Sequence, residues 1–402
     1  MTQQEIMNYR ADFPLLRESK VAYLDNAATS QRPDCVLDAQ RKFYETHNAN
    51  PLRGLYQLGM DATEDYAAAR ETVRRFLNAK SDSEIIFTRN ATESLNLAAY
   101  TLSEYLLKPG DEIIVSIMEH HSNILPWQHA AKRYGATVKY LECDMDGTIP
   151  AERLESMITD RTKIAAITQI SNVLGCRNDL KTFAEICHRH GVILVGDGAQ
   201  SVPHIAVDVQ DLGVDFLSFS GHKMLAPMGI GALYGKKELL EKLPPFLTGG
   251  EMIDSVTEQD AVWAPVPEKF EAGTQDAAGE HGRHGVEQVH FAPQHADAHG
   301  AHGLVRAKGK EVGAQIGHID RHVRQRLRAV DDQIAAVLVH ELAEILDRVL
   351  DAQHVRHLTH GQDFGLGAHL GQNLLGGELT GLGGVEVDEL GAGFAADLLP
   401  RD

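Results

Sequence analysis

Two runs decide how this chain is read: Val192–Ser201, VILVGDGAQS, and Asp215–Lys223, DFLSFSGHK. Each contains a short apolar stretch without a polar face, and each leads into a charged residue, Asp197 or Lys223, beside glycine and serine. Strands without a polar face are covered on both sides, the habit of parallel sheets under helices. Ligands of such sheets bind outside the carboxyl ends of the strands. An aspartate held at the buried end of an apolar strand is costly unless a positive group pairs with it; a protonated ring nitrogen would serve. A lysine facing the same crevice is either a solvated surface residue or, once desolvated, an amine able to form a Schiff base.

Working outward, five more runs read as strands: Glu84–Thr88, Glu112–Ser116, Thr137–Leu141, Lys163–Thr168 and Gly231–Tyr234. Between most of the strands lie segments of helical spacing, such as Ala91–Leu106, Leu125–Tyr134 and Leu180–Arg189. The alternation predicts an α/β fold with a mostly parallel seven-stranded sheet flanked by helices. Each remaining strand end carries polar residues. Arg89–Ser94, RNATES, opens a helix, and its amides with the Thr92 hydroxyl form an anion site or a plain N-cap. Met118–Asn123, MEHHSN, holds an adjacent histidine pair suited to ring stacking or proton transfer, or simply a polar loop. Ser171–Gly175 is a small turn whose Asn172 is a candidate donor to a ligand oxygen. Gly229 and Gly231, with Gly235-Lys236, do not have the spacing of a Walker loop and read as a turn into a strand. Taken together, a phosphate site, a stacking histidine, an aspartate for a pyridinium and a lysine for an aldehyde are what pyridoxal phosphate requires.

The chain has 402 residues, 43% of them hydrophobic and 24% charged, and a net charge of −19. These fractions exclude a disordered, collagenous or disulfide-framework protein. The charge argues against nucleic acid and anionic membrane surfaces as partners. Four cysteines, Cys35, Cys143, Cys176 and Cys187, form no C-x-x-C pair. Together with a polar N-terminus lacking an apolar core segment, they predict a cytoplasmic protein with neither a signal peptide nor a zinc ribbon. No apolar run approaches membrane-spanning length.

The motifs resemble those of the class V aminotransferase family, in its SufS-type cysteine desulfurase (selenocysteine lyase) branch. They are Tyr23–Thr29 (YLDNAAT), Asn48–Gly54 (NANPLRG), Phe87–Asn96 (FTRNATESLN), Glu119–Trp127 (EHHSNILPW), Asp197–His204 (DGAQSVPH), Ser220–Lys223 (SGHK) and Phe270–Thr274 (FEAGT). The resemblance covers residues 1 to about 278. It implies a fold-type I pyridoxal-phosphate enzyme with an N-terminal segment of a small domain (1–19), a large cofactor-binding domain (20–265) and a C-terminal small-domain region (266–402). It implies Lys223 as the lysine that joins the cofactor aldehyde and Asp197 as the partner of the pyridine nitrogen. His120 is implied as the stacking and acid–base residue. Thr92, Ser220 and His222 are the implied phosphate ligands and Ala91 a further cofactor-binding residue, with Thr274 supplied by the other subunit of a homodimer. Asn172 and Gln200 are implied near the substrate carboxylate and the ring hydroxyl, and Arg53 at the mouth of the site. The implied reaction takes sulfur from L-cysteine, leaving L-alanine and an enzyme persulfide that feeds iron–sulfur cluster assembly through an acceptor protein. Selenocysteine or cysteine sulfinate is the alternative substrate.

The resemblance stops in mid-motif after Gly279. The nucleophilic cysteine and the arginine that the family places late in the chain have no counterpart, and no cysteine follows Cys187. Residues 280–402 hold 13 of the 21 histidines and 18 of the 36 glycines, yet no serine, tyrosine, tryptophan, cysteine or methionine. Such depletion over so long a stretch has the look of an out-of-frame reading beginning near codon 279, with an inactive, cofactor-binding product as one consequence. Two competing expectations for this stretch are a metal site at His295, His299 and His302, and an amphipathic helix over Ile334–Leu350. Gly300 and Gly303 weaken the first, so no metal is expected.

Overall fold

A computed structural model describes residues 9–52 and 54–284, with the side chains of 283 and 284 excepted. The His295, His299 and His302 cluster weighed as a metal site, the helix expected at Ile334–Leu350, and most of the 266–402 region lie outside the described residues. So does Arg53.

Seven strands form one sheet: β1 (Ile85–Thr88), β2 (Glu112–Ser116), β3 (Thr137–Leu141), β4 (Thr162–Thr168), β5 (Ile193–Asp197), β6 (Phe216–Ser220) and β7 (Gly231–Gly235). Their order is β1-β7-β6-β5-β4-β2-β3. The β3–β2, β2–β4, β4–β5 and β5–β6 pairs are parallel, as the apolar runs predict. β7 departs from the pattern: it runs antiparallel between β6 and β1. Only the short span Gly221–Ile230 separates β6 from β7, too few residues for the helical crossover that a parallel pair needs. A small hairpin follows, β8 (Ile253–Val256) and β9 (Ala261–Trp263), which the apolar pattern does not announce.

Every residue of β2, β6 and β7 is buried. Apolar layers lie over both faces, one including Ile114, Ala165, Leu194 and Leu217, the other Ile113, Ala166, Val195 and Phe216. These alternate along each strand, as a pleated sheet requires. The helices that supply the covering faces have the predicted bounds, Ala91–Leu106, Leu125–Tyr134 and Leu180–Arg189. Local chemistry sets their ends. Asn90 and Asp179 cap the first and third by accepting from the Glu93 and Thr182 amides. Pro126 lies in the first turn of the second, and Gly135 closes it at φ 70°.

The helices Asp34–Thr46 and Gln57–Leu77 both pack against Ala277–His284, and Gln57–Leu77 also packs on β1. The join is a buried ion pair. Glu271 takes two bonds from the Arg70 guanidinium, at 2.7 and 2.8 Å, one from Tyr66 Oη at 2.9 Å and one from the Phe87 amide at 2.6 Å. Burial opposes the charge on Arg70, but its contact with Glu271 outweighs burial and raises its pKa. The FEAGT stretch is thereby tied to β1.

Candidate active site

β5 and β6 end where the sequence places its charged residues. Asp197 is the last residue of β5 and is buried, with its Oδ1 accepting from the Ala199 amide at 2.9 Å. Burial raises its pKa, while the Ala199 amide, Lys223 and His120 act in the opposite direction. Lys223 closes the short turn Gly221–Lys223 that follows β6 and is partly buried. Burial lowers the pKa of its amine, and Asp197 partly restores it. His120 follows β2 at an exposed position. Burial of its ring lowers its pKa; Asp197 works against that shift, and Lys223 and His121 add to it. Asp197, Lys223 and His120 therefore lie within electrostatic reach of one another, although 77 positions separate His120 from Asp197 and 103 separate it from Lys223 along the chain.

Hydrogen bonds define the His120 tautomer. Its Nδ1 accepts from the Ser122 amide at 3.2 Å, which leaves the neutral ring's proton on Nε2. Ser122 Oγ also bonds Nδ1, at 3.0 Å, and Thr92 Oγ1 at 2.7 Å. The start of the helix Ala91–Leu106 and the His120 turn are thus joined through one hydroxyl. On the other side of that helix start, the Ala91 amide donates to Ser220 Oγ at 2.8 Å. Gly231 permits this approach: a Cβ there would lie 2.6 Å from Asn90 Cα and 2.7 Å from the Phe219 carbonyl oxygen.

The N-terminal segment braces the lysine turn. The His222 carbonyl accepts from Thr29 Oγ1, Ser30 Oγ and the Ser30 amide at 3.1, 3.1 and 2.9 Å. Ser30 Oγ in turn accepts from the Leu225 amide at 2.8 Å. The His222 ring is held below its ordinary pKa by burial, with Lys223 and Arg32 adding to the shift. Gln200 spends its amide on the Ala27 carbonyl at 2.9 Å.

The expected residues therefore fall into three groups. Asp197, Lys223, His120, Ala91, Thr92, Ser220, His222 and Gln200 gather at the strand ends and their braces. Asn172 is exposed in its turn, and Thr274 is exposed on a cavity of about 530 Å³ shared with Arg89, Glu93 and Asp276. Among the described residues neither makes a side-chain hydrogen bond to the others. Thr29, Ser30, Ser122, Glu119 and Glu271 support the site but are not singled out by the sequence reading. Each lies in or beside a quoted motif, yet the bond that gives it a role joins residues that periodicity does not relate.

The donor set suits pyridoxal phosphate. Hydroxyls at a helix start suit a phosphate, a buried carboxylate suits a ring N–H, and a lysine of lowered pKa suits an aldehyde. A mostly parallel seven-stranded sheet with this set at its strand ends defines a fold-type I pyridoxal-phosphate fold. The profile of the class-V aminotransferase family matches residues 22–287, and the chain belongs to that family. It is 52% identical over 271 residues to a probable cysteine desulfurase of Halalkalibacterium halodurans, covering 66% of this chain and 67% of the relative. It is 50% identical over 267 residues to one of Staphylococcus epidermidis, covering 65% of each. The chain thus spans about two-thirds of the length of these curated relatives. Among solved structures it resembles the cysteine desulfurase CsdA of Escherichia coli, at 40% identity and a TM-score of 0.67 over 72% of both chains. It also resembles apo cysteine desulfurase of Thermococcus onnurineus, at 36% identity and a TM-score of 0.70 over 77% of this chain and 76% of that one.

Proposed function

We propose that the protein is a pyridoxal-phosphate-dependent cysteine desulfurase acting on L-cysteine. The observation that carries the reading is the electrostatic triad of Asp197, Lys223 and His120 beside the helix start at Ala91. When bound, the cofactor supplies an aldehyde for the substrate amine and a ring that withdraws electrons from Cα. The chain's residues do the rest. Thr92, Ser220 and His222 would hold the phosphate, Ala91 placing Ser220 through its amide, with Thr274 contributed across a homodimer. Asp197 keeps a proton on the ring nitrogen, since burial makes pairing with an N–H⁺ group favourable for its carboxylate. Lys223 offers a larger fraction of neutral amine than a solvated lysine, because burial opposes its charge. His120, its pKa lowered by burial, would stack on the ring and, with its proton on Nε2, act as the acid–base group near the substrate sulfur. Asn172, Gln200 and Arg53 are assigned to the substrate carboxylate and ring hydroxyl.

Sulfur transfer as a persulfide, to an acceptor protein of cytoplasmic iron–sulfur cluster assembly, needs a thiolate. Three of the four cysteines are poor candidates. Cys187 is fully buried, and burial pushes its thiol up to about 12. Burial also raises Cys35 and Cys176. This favours a second reading for the chain as it stands: a lyase for selenocysteine or cysteine sulfinate, whose leaving groups do not require an enzyme thiol, or an inactive cofactor-binding product. An out-of-frame stretch from about codon 279 accounts for the missing cysteine; its support is the compositional break at Glu280 and the end of the family match at residue 287.

The test is to add pyridoxal phosphate to the full chain and measure the visible band, then alanine release from cysteine and from selenocysteine. A band that is lost in Lys223→Ala supports the cofactor reading, and a colourless, folded protein overturns it. Alanine from cysteine supports the desulfurase; alanine from selenocysteine alone supports the lyase.

A further inference from the structure

We propose that Glu119 is the positioning residue of the site: its buried carboxyl ties the turn carrying His120 to the strand end that carries Asp197. Glu119 sits in the turn after β2 and points inward, 8% exposed, while the next residue, His120, is exposed. Three segments meet on its two oxygens. Oε1 is bonded to Ser116 Oγ, at the end of β2, and accepts from the Thr168 amide, at the end of β4, at 2.7 Å. Oε2 accepts from Asn123 Nδ2, past the His120 turn, at 2.6 Å. Asn123 is itself held, because its Oδ1 accepts from the indole of Trp127, a fully buried side chain, at 3.0 Å.

Thr168 completes the link to Asp197. The two are direct partners in the β4–β5 register, and the Asp197 carbonyl accepts from the amide of Gln169, the residue after Thr168, at 2.9 Å. One carboxyl therefore sets the spacing between the backbone at Asp197 and both ends of the His120 turn. A buried carboxyl with no cationic hydrogen-bond partner is expensive, so its retention here has to be offset by what it holds. Burial pushes Glu119 up to about 8, the nearby Asp197 charge adding to the rise and the Ser116, Asn123 and Thr168 donors limiting it.

The bonding pattern allows a sharp test. Both oxygens of Glu119 accept from an N–H, so an amide nitrogen at either place faces a donor. In Glu119→Gln the conflict is relieved only if Asn123 turns over, which presents its own donor to the Trp127 indole. The double variant Glu119→Gln with Asn123→Asp restores the match: the new amide donates to the new carboxylate, whose other oxygen still accepts from Trp127.

The primary readout is the NMR pH titration of the His120 ring in the protein without added cofactor. The charged groups facing that ring are Asp197, Lys223 and His121. Glu119→Gln is expected to move the titration upward toward the ordinary 6.5, as the turn loosens and the ring loses the partial burial that lowers its pKa. It is also expected to weaken pyridoxal phosphate about tenfold, one contact's worth of binding energy; the double variant returns both to wild-type values. A wild-type His120 titration in Glu119→Gln overturns the proposal, as does a double variant that folds but leaves the titration displaced. Should Glu119→Gln fail to fold, the double variant decides alone by the same criterion. The role of the turn rests on the cofactor reading above, but the His120 titration does not: absence of cofactor binding by the wild type defeats that reading only.

Discussion

The Ala91 amide donates to Ser220 Oγ across 2.8 Å, joining the first residue of one helix to the last residue of β6, 129 positions away. Both residues are buried, so water cannot replace the bond. Ser220→Ala is expected to cost about 1–3 kcal/mol, the penalty of a buried N–H left without an acceptor. Urea denaturation measures the loss, and titration with pyridoxal phosphate is expected to show weakened binding in parallel. Unchanged stability would mean that the amide finds another acceptor.

Gly231→Ala attacks the same junction from the opposite strand. The new Cβ would stand 2.6 Å from Asn90 Cα, a backbone atom that cannot swing aside. Overpacking of this kind costs about 1–3 kcal/mol. The expected result is a lower melting temperature together with loss of cofactor affinity, because the strain falls on the residue preceding Ala91.

Breaking one side of the Arg70–Glu271 pair exposes how much the FEAGT stretch depends on it. Arg70→Ala leaves a buried carboxylate, and the expected loss is about 3–5 kcal/mol. Replacing both partners by methionine is expected to cost less, since no uncompensated charge remains. Chemical denaturation of the two variants checks the order; equal losses would refute it.

The pH dependence of stability has a definite sign on the acid side. His120 and His222 both titrate below the ordinary 6.5 in the folded chain, chiefly through burial. Between their folded values and 6.5 the unfolded chain binds more protons, so stability rises with pH through that window and these two groups cease to contribute above it. The double variant His120→Gln with His222→Gln is expected to flatten this part of the curve. Melting temperatures measured from pH 5 to 8 test it.

Thiol labelling separates the cysteines. Cys187 is expected to resist an aromatic disulfide reagent at neutral pH until the chain is unfolded, because its thiol is buried and its pKa is pushed up to about 12. Peptide mapping after labelling identifies the protected thiol. The same map over residues 275–402, with the coding DNA read in three frames, tests the out-of-frame reading: no late cysteine motif in any frame would refute it.

Much of the site was legible because strand ends are local features. The fall from an apolar run to Asp197, or from DFLSFS to Lys223, is visible within ten residues, and the caps at Asn90 and Asp179 stand beside the helices they start. The supporting bonds were not legible. Glu119 reads as one acid in a polar loop until Thr168, 49 residues on, is brought to its oxygen. Glu271 reads as part of a motif until Arg70, 201 residues earlier, reaches it.

The sequence by itself determined the seven strands, three of the helices and the residues at the strand ends, but not the long helix Gln57–Leu77. Period, capping and turn chemistry act over a few residues and are written in order along the chain. It also determined the break in composition at Glu280. Only the tertiary structure decided that β7 lies antiparallel between β1 and β6, that Ser220 meets Ala91, and that Glu119 spans three segments. Those facts depend on which buried polar groups find partners once the sheet closes, and that competition is settled by packing between distant segments rather than by any local pattern.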